Sequence, residues 1–277
     1  MSKHNILTAE EISKFVIESE LLEYIEPYRN KMNLEKQELN ILDWGCGRGR
    51  SVLWLREQGY NAFGVDIDPE PIKNGRVLFL KRGFDAKTIL TLVNPDGKIN
   101  FPDNFFHFVF SEHVFEHVRD IESVAAEIQR VTTPGGLGLH RYPASKEIVE
   151  GHLHLPFVHW LPKNGLRKAL IFIFLLVGQD PKWEELQGKS IYKRTQTYFG
   201  YSIHKTYYRS PRTIRQVFKR NGFDVDFVTI NNPKLRKLGL LYKLIRTEPW
   251  RSIVNWGLIT FKLVELFTIK VTDYPPQ

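Results

Sequence analysis

Cysteine is almost absent: Cys46 is the only one in 277 residues. A disulfide framework is therefore excluded, and a reducing cytoplasm fits. Long apolar runs are missing too. The longest, Ala169 to Val177, is too short to span a bilayer. The opening stretch, MSKHNILTAEEISKF, holds no apolar segment of the signal-peptide kind, so no secretory leader is expected. There is no low-complexity tract and no internal repeat. Apolar content of 42% and charged content of 25% are globular values. What the chain does have is positive charge in one place. The net charge is +8, and residues 201–251 carry twelve Lys/Arg against three Asp/Glu, a balance of +9. Such a face suits a membrane surface, a phosphate-bearing molecule or nucleic acid, and is equally the pattern of a solvated helix face.

Apolar periodicity organises the first half. Residues 8–31 read as a helix, with Thr8 and Glu11 forming a capping-box pattern. Asn40 to Trp44 reads as a strand, Ser51 to Gln58 as a helix ended by Gly59, and Ala62 to Val65 as a strand ending at Asp66. Pro69 to Arg82 is helical, Phe105 to Phe110 a strand, Asp120 to Val131 helical and Leu137 to Tyr142 a strand, with a turn at Pro134-Gly135-Gly136. This alternation predicts a doubly wound, mostly parallel α/β sheet. After Pro143 the rhythm breaks. Residues 144–208 are rich in His, aromatic and basic residues, and regular alternation returns only with a helix at 210–221 and a strand at 223–230. The tail, 234–270, reads as helical and amphipathic in parts.

Three glycines, Gly45, Gly47 and Gly49, lie within five residues between the first strand and the first core helix. They let the backbone turn sharply and approach a ligand, which the free N–H groups of the helix start then face. Asp66 ends the next strand, where a carboxylate accepts both hydroxyls of a ribose. A nucleoside-containing cofactor is indicated. A nicotinamide dinucleotide is the competing choice, but Asp43, just before the turn, would repel its pyrophosphate. S-adenosylmethionine has no phosphate, and its α-ammonium and sulfonium suit an acidic neighbour.

These residues carry a resemblance. Asp43-Trp44-Gly45-Cys46-Gly47-Arg48-Gly49 resembles the first motif of class I S-adenosylmethionine-dependent methyltransferases, and Gly64-Val65-Asp66-Ile67-Asp68 the second. Phe101 to Asn104, Phe108 to Ser111 and Phe115 to Val118 resemble the fourth-strand region. Glu127 to Val131 with Pro134-Gly135-Gly136 resembles the helix and turn before the fifth strand. The likeness covers about residues 38–143, with a weaker echo at 210–230. It implies a seven-stranded Rossmann-like sheet with S-adenosylmethionine as cofactor. Asp43, Gly45 and Gly47 would hold its methionine end, with Gly49 also in the cofactor-binding turn, Asp66 the ribose, Ile67 the adenine face and Asp96 the adenine amino group. Ser111 and Glu112 would sit where the fourth strand opens onto the methyl group. The sequence departs from the family in carrying His107 where an aspartate is usual, and in a shorter loop after Asp96.

Methyl transfer from a sulfonium needs alignment, and a hydroxyl acceptor usually also needs a base. Neutral histidine suits that task. His113 and His152 are the expected catalytic candidates. His117, four residues after His113, reads as a brace for the loop. His152 and His154 read as sharing one side of an extended segment after the fifth strand. Two histidines alone are a weak metal signal, so no metal is expected. No Asn/Asp-Pro-Pro-Tyr-type motif of DNA-base amino methylation follows the fourth strand, and Asp273-Tyr274-Pro275-Pro276 has the wrong order and place.

Three segments are expected: an N-terminal helix and cofactor-binding core (1–143), a lid-like insertion over the acceptor site (144–208), and the end of the core with basic C-terminal helices (209–277). The aromatic-rich insertion suits an apolar or sugar-like acceptor, or else forms a small core under a long loop. The basic stretch Lys234 to Arg246 and the apolar stretch 253–269 suit packing on the sheet or a homodimer, with peripheral contact on an anionic membrane as the alternative. The expected enzyme is a cytoplasmic methyltransferase acting on a hydroxyl of a small molecule: a sugar, lipid precursor or secondary metabolite. The competing readings are an RNA methyltransferase using the basic 201–251 face, and a membrane- or partner-binding module with a degenerate cofactor fold.

Overall fold

A computed structural model describes residues 17–272; the Thr8–Glu11 capping box and Asp273 to Pro276 lie outside them. A seven-stranded sheet has the order β3-β2-β1-β4-β5-β7-β6. Its strands are β1 (Asn40–Trp44), β2 (Asn61–Asp66), β3 (Leu90–Leu92), β4 (Phe106–Glu112), β5 (Thr132–Pro143), β6 (Phe223–Phe227) and β7 (Leu263–Lys270). The first five pair in parallel, and β7 runs antiparallel between β5 and β6. The predicted fold class is the observed one.

Helices cover both faces. One face is packed by α1 (Ile17–Met32), α2 (Arg50–Glu57) and α3 (Pro69–Lys81), whose Ile25, Leu53 and Phe79 meet Ile41, Phe108 and Phe110. On the other face lie α5 (Ile121–Val131), beyond the short α4 (Ala86–Ile89), and later α8 (Pro211–Arg220). Their Ile128 and Phe218 pack on Leu42, Val109 and Leu266. Adjacent strand residues such as Ile41 and Leu42 thus serve opposite cores. That is why the central strands read as unbroken apolar runs.

The tail differs from the helical expectation. Helix α11 (Trp250–Phe261) stops at Lys262, and the following Leu-Val-Glu-Leu-Phe-Thr-Ile-Lys is β7, hydrogen-bonded on both edges. Burial on both faces hides its period of two, so an apolar stretch after a helix reads as more helix. Pro134-Gly135-Gly136 also differs. It is looped out inside β5, which advances from Thr132 to Leu137 while β4 advances only from Phe106 to Phe108.

The insertion is a helical subdomain. Helices α6 (Gly165–Leu176) and α7 (Ile191–His204) enclose a core of their own around Leu155, Val158, Ile171, Leu175 and Tyr198. Trp183 stands edge-on to Tyr198 and Tyr201. These rings build the insertion, whereas Phe157, Trp160 and Tyr192 remain exposed. After the short α9 (Pro233–Arg236) and α10 (Leu240–Ile245), the tail leaves Leu240, Leu241, Leu244, Trp250, Ile253 and Trp256 exposed rather than packed on the sheet. No helix among the described residues is long and apolar enough to cross a membrane.

One charge cluster ties the sheet together. Arg141 on β5, 6% exposed, pairs through Nε with Glu265 on β7 at 3.0 Å, through Nη1 with Glu112 on β4 at 3.2 Å, and through Nη2 with Glu20 on α1 at 2.9 Å. Burial pulls the guanidinium pKa down, and the three carboxylates more than offset it, so the net shift is upward. Removing one member of a buried ion cluster leaves the others uncompensated. Arg141→Leu is therefore expected to lower unfolding free energy by about 3–5 kcal/mol in urea denaturation. A loss below about 1 kcal/mol would show that the cluster is solvent-screened.

Candidate active site

The glycine turn is built as its spacing requires. Gly45 and Cys46 donate to Val65 O at 2.8 and 2.9 Å, clamping the turn onto β2, and Gly49 donates back to Cys46 O at 2.9 Å. Gly45 and Gly47 have φ of +81° and +55°, in the left-handed region where only glycine is unstrained. A Cβ at Gly45 would lie 2.3 Å from Val114 Cγ2, whereas a Cβ at Gly47 would meet nothing within 4 Å. Among the described residues, the space beside Gly47 is open.

Next to the turn is a cavity of about 180 Å³ lined by Asp43, Gly45, Cys46, Arg50, Ser51, Phe110 and Glu112. Asp43 is buried at the end of β1, and its carboxyl pKa is raised well above the usual range, first by burial and then by the charges of Glu112 and Asp66. Asp66 accepts from Gly47 N–H through Oδ2 at 2.8 Å and from Asp68 N–H through Oδ1 at 2.9 Å. Each of its oxygens keeps a second lone pair. Three carboxylates thus surround the turn. Such a cleft favours a ligand that brings positive charge and disfavours one that brings phosphate.

The other expected cofactor residues are dispersed. Ile67 is 81% exposed beside Asp66, an open apolar platform. Asp96 is exposed in a turn and accepts from Lys98 N–H at 3.0 Å. Ser111 is buried and turned from Glu112 by the strand pleat, with Oγ 2.9 Å from His140 Nδ1. His140 is stacked on Phe115, and burial holds its pKa down at about 3, so this pair is a neutral core contact. His107, in place of the family aspartate, accepts from Asn40 N–H through Nδ1 at 3.0 Å.

The histidines divide. His113 is exposed at the end of β4 with φ of +53°, its backbone N–H donating to Arg141 O at 2.9 Å. Its Nδ1 lies 3.5 Å from Glu116 Oε1, which raises its pKa, and Glu112 and Glu147 add to the effect. His152 is half-buried, with Nδ1 2.8 Å from Glu150 Oε1, and that contact raises its pKa. His117 holds Lys205 O at 2.7 Å, as expected of a brace. The shared side expected for His152 and His154 is not found. The segment is a turn in which His154 N–H returns to Glu150 O at 2.8 Å, and His154 lines a separate surface pocket with Gly178 and Asp180. The alternation argument requires an extended chain, and Glu150-Gly151-His152 is not one.

Sequence reasoning passed over Arg141 and Glu150. Their signal is charge inside an apolar stretch: Arg141 interrupts a buried strand, and Glu150 precedes a glycine turn whose N–H groups it caps.

With this geometry in place, the sequence matches the family described as Methyltransferase domain over residues 42–139. It is 32% identical over 98 residues to the 2-methyl-6-phytyl-1,4-hydroquinone methyltransferase of Synechocystis, covering 35% of this chain and 30% of that protein. It is 30% identical over 157 residues to the sterol 24-C-methyltransferase of Yarrowia lipolytica, covering 53% and 41%. The chain therefore spans less than half the length of these curated relatives. In fold it resembles the geranyl diphosphate C-methyltransferase of Streptomyces coelicolor, with a TM-score of 0.51 and 12% identity, covering 98% of this chain and 83% of that one. Its acidic, glycine-floored cleft fits a cationic nucleoside, and the matched residues run from β1 to β5, the strands that build that cleft. Residues 42–139 match the methyltransferase-domain family, whose class I members use S-adenosylmethionine, and these are the residues that build the cleft described above.

Proposed function

We propose that the protein transfers the methyl group of S-adenosylmethionine to a hydroxyl of a small, largely apolar acceptor. The observation that carries this is the cleft itself: Asp43, Asp66 and Glu112 around a turn with open space at Gly47. When bound, S-adenosylmethionine supplies an electrophilic methyl group next to a sulfonium. Asp43 and the Gly45 to Gly49 backbone would hold its methionine end, Asp66 the ribose, Ile67 the adenine face and Asp96 the amino group. Glu112 lines the cleft from the end of β4, and His113 follows it. Of the two histidines read as bases, His113 is the one carried forward. It leaves β4 directly after Glu112, while the Nδ1 of His152 is committed to Glu150. A base there takes the acceptor proton as the new C–O bond forms.

Support for an apolar acceptor comes from two sides. The two relatives named above act, by their names, on a phytyl hydroquinone and a sterol. The insertion, residues 144–208, joins the sheet after β5, at the strand ends where ligands of this fold bind, so it is proposed as the lid. The exposed leucines and tryptophans of the tail, set among the basic residues of 201–251, are proposed as a peripheral contact with an anionic membrane, the source of such an acceptor.

Three outcomes test the reading. Gly47→Val is expected to fold, because its added side chain enters open space. The positive φ costs roughly 1–2 kcal/mol. Calorimetry should show S-adenosylmethionine binding abolished, and unchanged affinity would make the turn merely structural. The second outcome is a pH dependence. Asp43 has a raised pKa in the free protein, and a bound cation favours its ionised form. Binding therefore releases a proton, and affinity should weaken by up to about tenfold per pH unit as pH falls below that pKa. Affinity constant from the neutral range down to the ordinary carboxylate range would exclude Asp43 as the partner of the cation. Finally, His113→Ala should slow single-turnover methyl transfer by about 10²–10⁴-fold and remove the acid-side limb of its pH profile, where the protonated imidazole cannot accept a proton. A raised KM with kcat preserved would assign His113 to acceptor positioning instead.

A further inference from the structure

Beyond the end of β4 lies a group of side chains that the cofactor cleft does not use. Glu116 and His117 leave the strand together, and His152 approaches from the start of the insertion. One ligand atom from each lies within 4.8 Å of the other two. The His117 and His152 ring centroids are 4.8 Å apart, with the rings 73° to one another.

The hydrogen bonds around the two histidines fix their tautomers. His117 Nδ1 faces the carbonyl oxygen of Lys205 at 2.7 Å. A carbonyl only accepts, so Nδ1 carries the proton and the lone pair is on Nε2. His152 Nδ1 faces the Glu150 carboxylate at 2.8 Å, with the same consequence. Glu150 is in turn fully engaged: it accepts the Tyr208 hydroxyl through Oε1, and the N–H groups of His152 and Leu153 through Oε2. An imidazole that donates one nitrogen to a carbonyl or a held carboxylate keeps the lone pair of the other for a metal, as second-shell partners of metal ligands arrange it.

Glu116 is the second, independent observation. It is 2% exposed, and neither carboxylate oxygen accepts a hydrogen bond from the described residues. Its nearest ion partner, His113 Nδ1 at 3.5 Å, is exposed and approaches Oε1 alone. A buried carboxylate left in this state is costly unless a cation compensates it.

We propose that Glu116, His117 and His152 bind one divalent metal ion of the zinc class. Two neutral imidazoles and one carboxylate suit Zn²⁺, Co²⁺, Fe²⁺ or Mn²⁺ better than Ca²⁺ or Mg²⁺, which prefer all-oxygen sets. Metal–ligand bonds of about 2.0–2.1 Å place tetrahedral donors about 3.3 Å apart, so side-chain rotations that draw the three atoms together complete the site. Three protein ligands leave a position open for water or an oxygen of a small molecule. The ion joins the loop after β4 to the insertion, because Glu116 and His117 belong to one and His152 to the other.

The test is direct metal binding, which needs no acceptor and no methyl transfer. Full-length protein is stripped with chelator and titrated with Co²⁺, then with Zn²⁺. One Co²⁺ per chain should bind, with the intense visible bands of a four- or five-coordinate site, and Zn²⁺ should displace it. His152→Ala and Glu116→Gln should each weaken Zn²⁺ binding at least about 100-fold, and His154→Ala should bind as the wild type does. Circular dichroism and thermal melts without metal check folding, and His152, the half-exposed member, decides the matter if Glu116→Gln does not fold. Absence of Co²⁺ binding to the wild type, or affinity unchanged in His152→Ala, overturns the proposal. A wild type that binds no Co²⁺ and still transfers methyl groups would overturn the site and leave the methyltransferase reading intact.

Discussion

The Arg141 guanidinium is the contact on which the sheet and the cleft both depend. Register places Glu112, Arg141 and Glu265 in one row across β4, β5 and β7. Glu20 reaches the same guanidinium from α1. A single cation therefore joins a parallel pair, an antiparallel pair and a helix at the end of the sheet where ligands bind. Asn232 adds a hydrogen bond to Glu265 Oε1 at 2.6 Å, bringing in the segment after β6. Glu112 is held at the cleft wall by this arrangement. One guanidinium faces three carboxylates, so the cluster is left with negative charge beside the cofactor turn.

That surplus decides the cofactor class. Two unit charges about 4 Å apart interact by about 4 kcal/mol at an effective dielectric constant of 20. A pyrophosphate near the carboxylates of Asp43, Asp66 and Glu112 would meet repulsion of that order, comparable to a thousandfold in affinity. A sulfonium and an α-ammonium would meet attraction of the same order. The upward pKa shift of Asp43 records the crowding from the protein's side, since burial, Glu112 and Asp66 all disfavour its charge. A bound cation reverses the last two effects. Arg141 offsets the charge of Glu112 in part and Arg50 lines the same cleft; the carboxylate charge that is left is what a bound cation would meet.

The half of the molecule that builds this cleft was legible in the sequence, and the reasons are local. From Asn40 to Asp66, a buried strand, a glycine turn, an amphipathic helix and a second strand follow one another, each with its own period. Strand β3 has only three residues, too few to show a period, and β7 is buried on both faces. The helices of the insertion were hidden because their aromatics serve a core of their own. The geometry of the turn was legible where backbone spacing sets it, as at Gly45, Gly47 and Asp66. Site chemistry was not legible where tertiary packing sets it. Arg141 became the centre of a cluster only through strand register, and Glu116 and His152 met only through the docking of the insertion.

That docking is itself polar. Tyr207 N–H donates to Glu116 O at 2.6 Å, and Arg209 donates to Phe115 O at 3.2 Å and Arg119 O at 2.6 Å. His117 holds Lys205 O, so the chain leaving α7 is bonded repeatedly to residues 115–119. Polar contacts of this kind exchange with water at little net energy, each contributing about 1 kcal/mol, whereas apolar seams resist opening in proportion to their area. The insertion and the segment after it are held to the loop beyond β4 through carbonyls, the His117 imidazole and the Arg209 guanidinium. The loop from Phe115 to Arg119 is the point where that segment is tied down, directly beyond the strand that carries Glu112 to the cleft.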